Sequence, residues 1–322
     1  MSLRAELLRL GLRFFFKRKG RRESTLEAWR KQLACLGRLV PAPPKDTRVR
    51  RVDLDGVKAV AVVTSEARDG RSMLYLHGGG HVTGTPVLYR DFIWRLAAAA
   101  RAQVFIIDFR LAPEHPFPAA LEDAVKAYRA LVAEGTDPRQ MAVVGESSGG
   151  GLALALLLKL RDEGSRLPAA AVALSPWTDL ALTGPSLRLN ADADAMIRSE
   201  EAPRLARYYL AGADPRTPYA SPLYGDPTGL PPTLIQVGSD EVLLDDSVRM
   251  AERMRAAGCQ VELEIWPRMP HACTSGRGWC RKRARRSSAS APSCRARPSQ
   301  KRRVTPLRPS PWRGANARRG AA

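Results

Sequence analysis

Three residues of the segment GESSG, Gly145, Ser147 and Gly149, have the spacing of a serine nucleophile on a tight turn. They follow the apolar run 141–144, which is typical of a strand, and precede a leucine-rich segment typical of a helix. A strand, this turn and a helix form a nucleophile elbow, in which glycines leave room for the sharply turned chain. The turn raises the serine hydroxyl into a cleft beside the positive end of the helix. Ser147 is therefore predicted to be the nucleophile of an acyl-transfer reaction.

A second glycine-rich turn lies upstream, where the apolar segment 72–76 runs into His77 and three glycines. Consecutive glycines allow backbone N–H groups to approach a substrate carbonyl closely, as an oxyanion hole requires. We predict that Gly79, Gly80 and Ser148 supply these N–H groups and that His77 braces the turn. The turn matches neither G-x-x-x-x-G-K-[ST] nor G-x-G-x-x-G, which argues against a phosphate-binding loop.

A serine nucleophile of this kind needs an acid and then a histidine further along the chain, each on a loop after a strand. The run 232–237 predicts a buried strand, and Asp240 and Glu241 follow it. Either carboxylate could orient an imidazole. A further predicted strand, 260–266, precedes His271, which is the only histidine downstream of the nucleophile. His271 is therefore predicted to be the general base.

The chain is poor in metal ligands. It contains four histidines, at positions 77, 81, 115 and 271, and five cysteines, at positions 35, 259, 273, 280 and 294, with no C-x-x-C spacing. We predict no metal and no organic cofactor. An odd number of scattered cysteines favours free thiols in a reducing compartment, so the predicted location is cytoplasmic.

Several motifs in one order resemble the hormone-sensitive-lipase-like α/β-hydrolases. They are HGGG at 77–80, RLAPEHPFPAALEDA at 110–124, GESSGG at 145–150, SPWTDL at 175–180 and MPH at 269–271. The resemblance covers roughly residues 1–271. It implies a cofactor-independent serine carboxylesterase acting on short- to medium-chain acyl esters through a Ser-Glu/Asp-His triad and an acyl-enzyme.

The resemblance also bears on the acid and on the pocket. In the family the triad acid lies four residues before an acidic pair, and the residue four before Asp245 is Glu241. The resemblance therefore favours Glu241, with Asp240, one residue out of register, as the alternative. His81 stands where the family commonly has an aromatic or apolar residue, which implies a more polar pocket wall.

The pattern along the chain predicts an α/β-hydrolase fold: a mostly parallel, eight-stranded sheet with helices on both faces and a helical cap. Predicted strands lie at 48–54, 57–63, 72–76, 103–108, 141–144, 169–174, 232–237 and 260–266, and the first two are expected to pair as an antiparallel edge. Predicted helices lie at 88–101, 119–134, 151–163 and 244–258. We predict N-terminal cap helices at 1–45, a catalytic domain at 46–271 with a cap insertion at about 180–219, and a basic tail at 272–322.

The N-terminal segment 3–16 is both apolar and basic. We interpret it as a cap helix, and the competing interpretation is a helix lying on a membrane surface. Arginines at positions 4, 9 and 13 interrupt its apolar run, which argues against a secretory signal.

The tail 272–322 carries 15 Lys and Arg and no Asp or Glu, so it accounts for +15 of the net charge of +20. Its composition is typical of disorder. At the same position the resembled family continues with a long amphipathic helix. The abrupt change suggests a reading-frame shift in a GC-rich gene. The functional alternative is a tail that binds nucleic acid or an anionic surface through phosphates.

The predicted function is thus ester hydrolysis of a small-molecule substrate. The first alternative is a catalytically weak or inactive ligand-binding protein on the same fold, disabled by the altered tail. The second is binding of nucleic acid or an anionic surface through the basic N-terminus or tail. The oligomeric state stays open, with a homodimer as one alternative, because the edge strand often used for pairing lies near the altered C-terminus.

Overall fold

The structure is a computed structural model that describes residues 10–14, 17 and 25–271. The predicted tail 272–322 and most of the predicted N-terminal helix lie outside the described residues. Residues 10–14 and 17 are helical. Within the part of the chain that the structure describes, no helix combines the length and apolar character needed to cross a bilayer.

The core is one eight-stranded sheet. Its strands are β1 (Arg48–Leu54), β2 (Val57–Val63), β3 (Ser72–Leu76), β4 (Gln103–Ile107), β5 (Met141–Glu146), β6 (Ala170–Leu174), β7 (Thr233–Gly238) and β8 (Val261–Trp266). They lie in the order β1-β2-β4-β3-β5-β6-β7-β8. β1 pairs antiparallel with β2, and β2 antiparallel with β4, whereas the remaining strands are parallel. The predicted mostly parallel sheet with an antiparallel edge is therefore confirmed.

Helices cover both faces of the sheet, as predicted. They are α1 (Leu26–Leu39), α2 (Pro86–Ala100), α3 (Ala119–Ala133), α4 (Ser148–Asp162), α5 (Ser186–Leu189), α6 (Ala202–Leu210) and α7 (Leu244–Ala256). Along β3, Leu74 and Leu76 join the core cluster formed with α3 and α4, while Tyr75 joins the cluster formed with α2. This alternation fits a strand buried on both faces.

Helix α4 begins at Ser148, three residues earlier than the sequence predicts. The sequence prediction placed Gly149 and Gly150 in the turn and began the helix at Gly151, whereas close packing lets the helix begin earlier. A β-carbon on Gly149 would lie 2.2 Å from Leu76 O, and one on Gly151 would lie 2.0 Å from Trp177 O. The glycines allow the first turn of the helix to pack directly against neighbouring backbone.

The connection from β6 to β7, residues 175–232, is the longest between strands and contains α5 and α6. We call it the β6–β7 insertion. It includes the region predicted as a cap insertion. The carboxyl ends of β5, β7 and β8 lie at the same edge of the sheet, and each of the three predicted triad residues follows one of these ends. Parallel strand order thus brings together residues that are far apart in sequence.

Candidate active site

Ser147 occupies a strained turn between β5 and α4. Its backbone has φ 56° and ψ −125°, and its side chain lies among the buried groups at 9% exposure. Its N–H donates to Leu174 O at 2.8 Å, and its carbonyl accepts from Trp177 N at 2.9 Å. A β-carbon on Gly145 would lie 2.0 Å from Gly149 O, so a side chain does not fit there. These contacts hold a serine in the positive-φ conformation of a nucleophile elbow.

The predicted oxyanion loop also depends on its glycines. Gly79 has φ 125°, and a β-carbon there would lie 2.0 Å from Thr83 O. Gly80 has φ 63°. Ser148 is the first residue of α4, where N–H groups have no intrahelical partner. Within the described part of the chain, the N–H groups of Gly79, Gly80 and Ser148 donate to no backbone acceptor.

The glycine loop packs directly against the elbow. A β-carbon on Gly78 would lie 3.0 Å from Ser147 Cβ, and the His81 N–H donates to Ser148 Oγ at 3.2 Å. Helix α1 braces the loop from outside, because Arg30 Nε donates to Val82 O at 2.8 Å. The structure thus places the predicted nucleophile and the predicted oxyanion donors in one cluster.

His77 lies where a bracing residue is expected. It is fully buried, its Nδ1 donates to Gly78 O at 2.9 Å, and its ring stacks on Phe109 at 4.3 Å between centroids. Burial lowers the pKa of His77 to about 4. A neutral, fully packed imidazole suits a structural role.

His81 lies under α6 of the β6–β7 insertion. It is 3% exposed, has φ 63°, and stacks on Tyr209 with 3.7 Å between ring centroids. Burial lowers its pKa to about 3, so the ring is neutral at physiological pH. Its Nδ1 is buried without a hydrogen-bond partner among the described residues.

The structure brings the predicted base together with Glu241. His271 Nδ1 donates to Glu241 Oε2 at 2.7 Å, and the two side chains are 5% and 1% exposed. The other carboxylate oxygen, Glu241 Oε1, accepts from Ser175 Oγ at 2.8 Å and from Gly238 N. Asp240, the alternative acid, instead accepts from the neighbouring Ser239 Oγ at 2.9 Å.

The loop bearing His271 packs on the loop that follows β7. Arg268 N donates to Ser239 Oγ at 2.9 Å, and a β-carbon on Gly238 would lie 1.9 Å from Met269 O. Close backbone approach at Gly238 therefore holds the two loops together. Among the described residues, the Ser147 hydroxyl makes no hydrogen bond with His271, a contact that in many hydrolases tightens only when substrate binds.

The electrostatics of His271 are dominated by opposing effects. Burial lowers its pKa, while the hydrogen bond and negative charge of Glu241 raise it more strongly, helped by the charges of Asp194 and Glu146. The net effect is a pKa above the usual 6.5. Burial also raises the pKa of Glu146, which lies directly behind the nucleophile.

Sequence reasoning missed three groups that support this site: Ser175, Asn190 and Asp194. Ser175 touches Glu241 from the end of β6, and the other two contact the Glu241 loop from the β6–β7 insertion. These contacts join residues 48 to 66 positions apart, so no local sequence pattern predicts them. In the ranges the structure describes, no group of three His, Cys, Asp or Glu side chains is arranged to hold a metal ion.

Known proteins of the α/β-hydrolase fold are similar to this chain. The sequence pattern of the family described as the alpha/beta hydrolase fold matches residues 73–275. An acetyl-hydrolase of Streptomyces hygroscopicus is 49% identical over 204 residues, which cover 63% of this chain and 68% of that protein. An esterase of Acinetobacter venetianus is 37% identical over 243 residues, which cover 75% of this chain and 80% of that protein.

Solved structures are similar over most of the chain. An esterase of the bacterial hormone-sensitive lipase family superposes with a TM-score of 0.82 at 39% identity, covering 90% of this chain and 97% of that one. EstE5, from a crystal soaked with p-nitrophenyl butyrate, superposes with a TM-score of 0.83 at 37% identity, covering 90% of this chain and 98% of that one.

Proposed function

Because this chain belongs to the α/β-hydrolase family of the hormone-sensitive-lipase type and is a carboxylic ester hydrolase, we propose that Ser147, His271 and Glu241 form its catalytic triad. The observation that carries the proposal is the buried 2.7 Å bond between His271 Nδ1 and Glu241 Oε2. It leaves the other ring nitrogen, Nε2, to act on the nucleophile.

In the acylation step, His271 Nε2 removes the proton from Ser147 as its Oγ attacks the ester carbonyl. The carbonyl oxygen becomes an oxyanion, which accepts hydrogen bonds from the N–H groups of Gly79, Gly80 and Ser148. Collapse of the tetrahedral intermediate breaks the C–O bond of the ester, and His271 gives its proton to the departing alcohol. Glu241 stabilises the imidazolium that exists between these two transfers.

In the deacylation step, a water molecule attacks the acyl carbonyl, and its proton passes to His271 Nε2. The same N–H groups hold the second oxyanion. His271 then returns the proton to Ser147 Oγ as the carboxylic acid leaves, which restores the free enzyme. His271 must be neutral at the start of each half-reaction.

The proposed substrates are short- to medium-chain acyl esters. The acetyl-hydrolase relative and the structure soaked with p-nitrophenyl butyrate support this choice. We also propose that the β6–β7 insertion acts as the cap, because Leu205 of α6 lies over Gly80 and Tyr209 covers His81. An insertion at this position limits the length of acyl chain that reaches Ser147.

Hydrolysis of p-nitrophenyl esters from acetate to decanoate by the purified full-length chain tests the proposed specificity. We expect kcat/KM to peak between two and eight acyl carbons. Mass spectrometry after treatment with an organophosphonate ester should find the adduct on Ser147. A labelled peptide that lacks Ser147, or no hydrolysis by a chain whose circular dichroism shows it to be folded, would contradict the proposal.

A further inference from the structure

The backbone-to-backbone hydrogen bonds within the loop that carries Glu241 are long. Glu241 N donates to Gly238 O at 3.3 Å, and Leu244 N donates to Glu241 O at 3.2 Å. These distances lie at and just beyond the long end of the usual range for N–H···O bonds. Catalytic groups need alignment within a fraction of an ångström, so this loop requires support from outside.

Asn190 of the β6–β7 insertion supplies part of this support. Its side-chain Nδ2 donates to Glu241 O at 2.8 Å and to Ser239 O at 3.2 Å. One amide group therefore holds the backbone of the acid itself and of the residue two positions earlier. The two bonds fix the loop without adding charge.

Asp194 supplies a second attachment. The carboxylate is fully buried, and its Oδ2 accepts from Val242 N at 3.0 Å. Its Oδ1 accepts from Met196 N at 2.8 Å and from Ile197 N at 2.9 Å. A single carboxylate thus connects the insertion to the residue that follows Glu241.

Ser186, in α5 of the same insertion, contacts the far end of the loop. Its Oγ donates to Val242 O at 2.7 Å and accepts from Asp245 N at 3.0 Å. Its own N–H donates to Asp245 Oδ2 at 2.6 Å. Three polar side chains of the insertion therefore bond to backbone groups of Ser239, Glu241, Val242 and Asp245.

The insertion is in turn held by the N-terminal segment. Arg13 Nη1 donates to Asp192 O at 2.9 Å, and Lys17 Nζ donates to Ala191 O. Both carbonyls lie between Asn190 and Asp194 in the sequence. The stretch that contacts the Glu241 loop is therefore fixed on two sides.

We propose that Asn190 and Asp194, assisted by Ser186, are positioning residues that align Glu241 with His271, so that the β6–β7 insertion controls the triad as well as the pocket. The inference rests on the triad proposed above. It makes the insertion a part of the catalytic geometry, because any displacement of residues 190–194 is transmitted to the acid.

Asp194 also acts on His271 through its charge. The charged groups facing His271 are Glu241 from the loop after β7, Asp194 from the insertion and Glu146 from the end of β5, and each raises the pKa of His271 while burial lowers it. Neutralising Asp194 should lower this pKa. The acid limb of kcat/KM should then move to lower pH, because His271 loses its proton at a lower pH.

The test compares Asn190→Ala and Asp194→Asn with the wild-type full-length chain. We expect kcat to fall by about tenfold or more in both variants with little change in KM. The acid limb of the pH profile should move down in both, by roughly half a pH unit or more in Asp194→Asn. Asp214→Asn is the matched control: Asp214 is an exposed acid of the same insertion that bonds to Arg216 N, and its kcat and pH limb should equal those of the wild type.

Unchanged kcat and an unchanged pH limb in folded Asn190→Ala would overturn the proposal. A lower melting temperature of Asn190→Ala without a change in kcat or in the pH limb would overturn it as well. If Asp194→Asn fails to fold, Asn190→Ala alone decides, because Asn190 is only half-buried. The Ser147→Ala variant distinguishes failure of the triad proposal from failure of the positioning proposal. If it loses activity while Asn190→Ala is normal, the triad stands and the positioning proposal fails. If it keeps activity, both fail.

Discussion

His271 Nδ1 lies 2.7 Å from Glu241 Oε2, and both side chains are buried. This relationship distinguishes the two adjacent acids, because Asp240 accepts a hydrogen bond from Ser239 whereas Glu241 accepts one from His271. It also explains the raised pKa of His271, since a buried carboxylate stabilises the charged ring more than burial destabilises it.

Glu241→Gln should lower kcat by about a thousandfold or more, because a glutamine amide can present its N–H₂ to the ring and favour the wrong tautomer. Initial rates of p-nitrophenyl butyrate hydrolysis at saturating substrate measure this loss of kcat. Asp240→Asn, the adjacent matched control, should keep kcat within a few-fold. Equal losses in the two variants would show that this pairing does not govern activity.

The acid limb of kcat/KM should have its midpoint above 6.5, the usual histidine value. The sign follows from the base: His271 acts only when neutral, and a raised pKa keeps it protonated to higher pH. In Glu241→Gln the residual activity should show a lower midpoint, because the neighbouring charge is gone. A wild-type midpoint at or below 6.5 would contradict the electrostatic account.

Gly79→Ala should reduce kcat by about a hundredfold or more, because the new β-carbon would meet Thr83 O at 2.0 Å and displace the proposed oxyanion donors. Gly164→Ala is the matched control. Gly164 also has positive φ, at 66°, but no atom lies within 4 Å of its added β-carbon. It should cost about 1 kcal/mol of stability and leave kcat unchanged. Full activity in Gly79→Ala would exclude this loop as the oxyanion hole.

Asp246 should make stability depend on pH. Its buried Oδ2 accepts from Thr178 N and Asp179 N, while Oδ1 has no partner among the described residues. Burial, assisted by the charge of Asp179, raises the pKa of Asp246 from 3.8 to about 7 despite the two N–H donors. The folded state therefore holds this proton more tightly than the unfolded chain does, so the free energy of unfolding falls as pH rises from 4 to 7.

Urea unfolding of wild type and Asp246→Asn at pH 4, 5.5, 7 and 8 measures that contribution. The wild type should lose stability relative to the variant between pH 4 and about 8, by on the order of 4 kcal/mol at most, with most of the loss complete by pH 7. Asp214→Asn, at an exposed acid, should follow the wild type. A stability difference between wild type and Asp246→Asn that is independent of pH would contradict the assigned shift.

Local patterns predicted much of this architecture. The strand, turn and helix around Ser147 are contiguous, and the glycine loop after β3 is equally local, so their geometry follows from adjacent residue types. The order of strands brought Glu241 and His271 to one edge. The choice between Asp240 and Glu241 depended on resemblance, because two adjacent side chains on a loop differ only in direction.

Other features depend on packing that no sequence window contains. The early start of α4 follows from glycines facing the backbone of Leu76 and Trp177. The support of Glu241 by Asn190 and Asp194 joins residues 51 and 48 positions apart. Single asparagine and aspartate residues in an irregular segment are usually exposed, so the contacts of Asn190 and Asp194 with the Glu241 loop appear only in three dimensions.

Ser147 is the proposed nucleophile, and p-nitrophenyl butyrate hydrolysis by wild type, Ser147→Ala and Ser148→Ala tests this role. Ser148→Ala keeps its backbone N–H and loses only the acceptor for the His81 N–H, so it should stay within about tenfold of wild type. Ser147→Ala should fall to the background rate, a loss of about 10⁵-fold or more. Wild-type activity in folded Ser147→Ala, or equal losses in the two variants, would contradict the account.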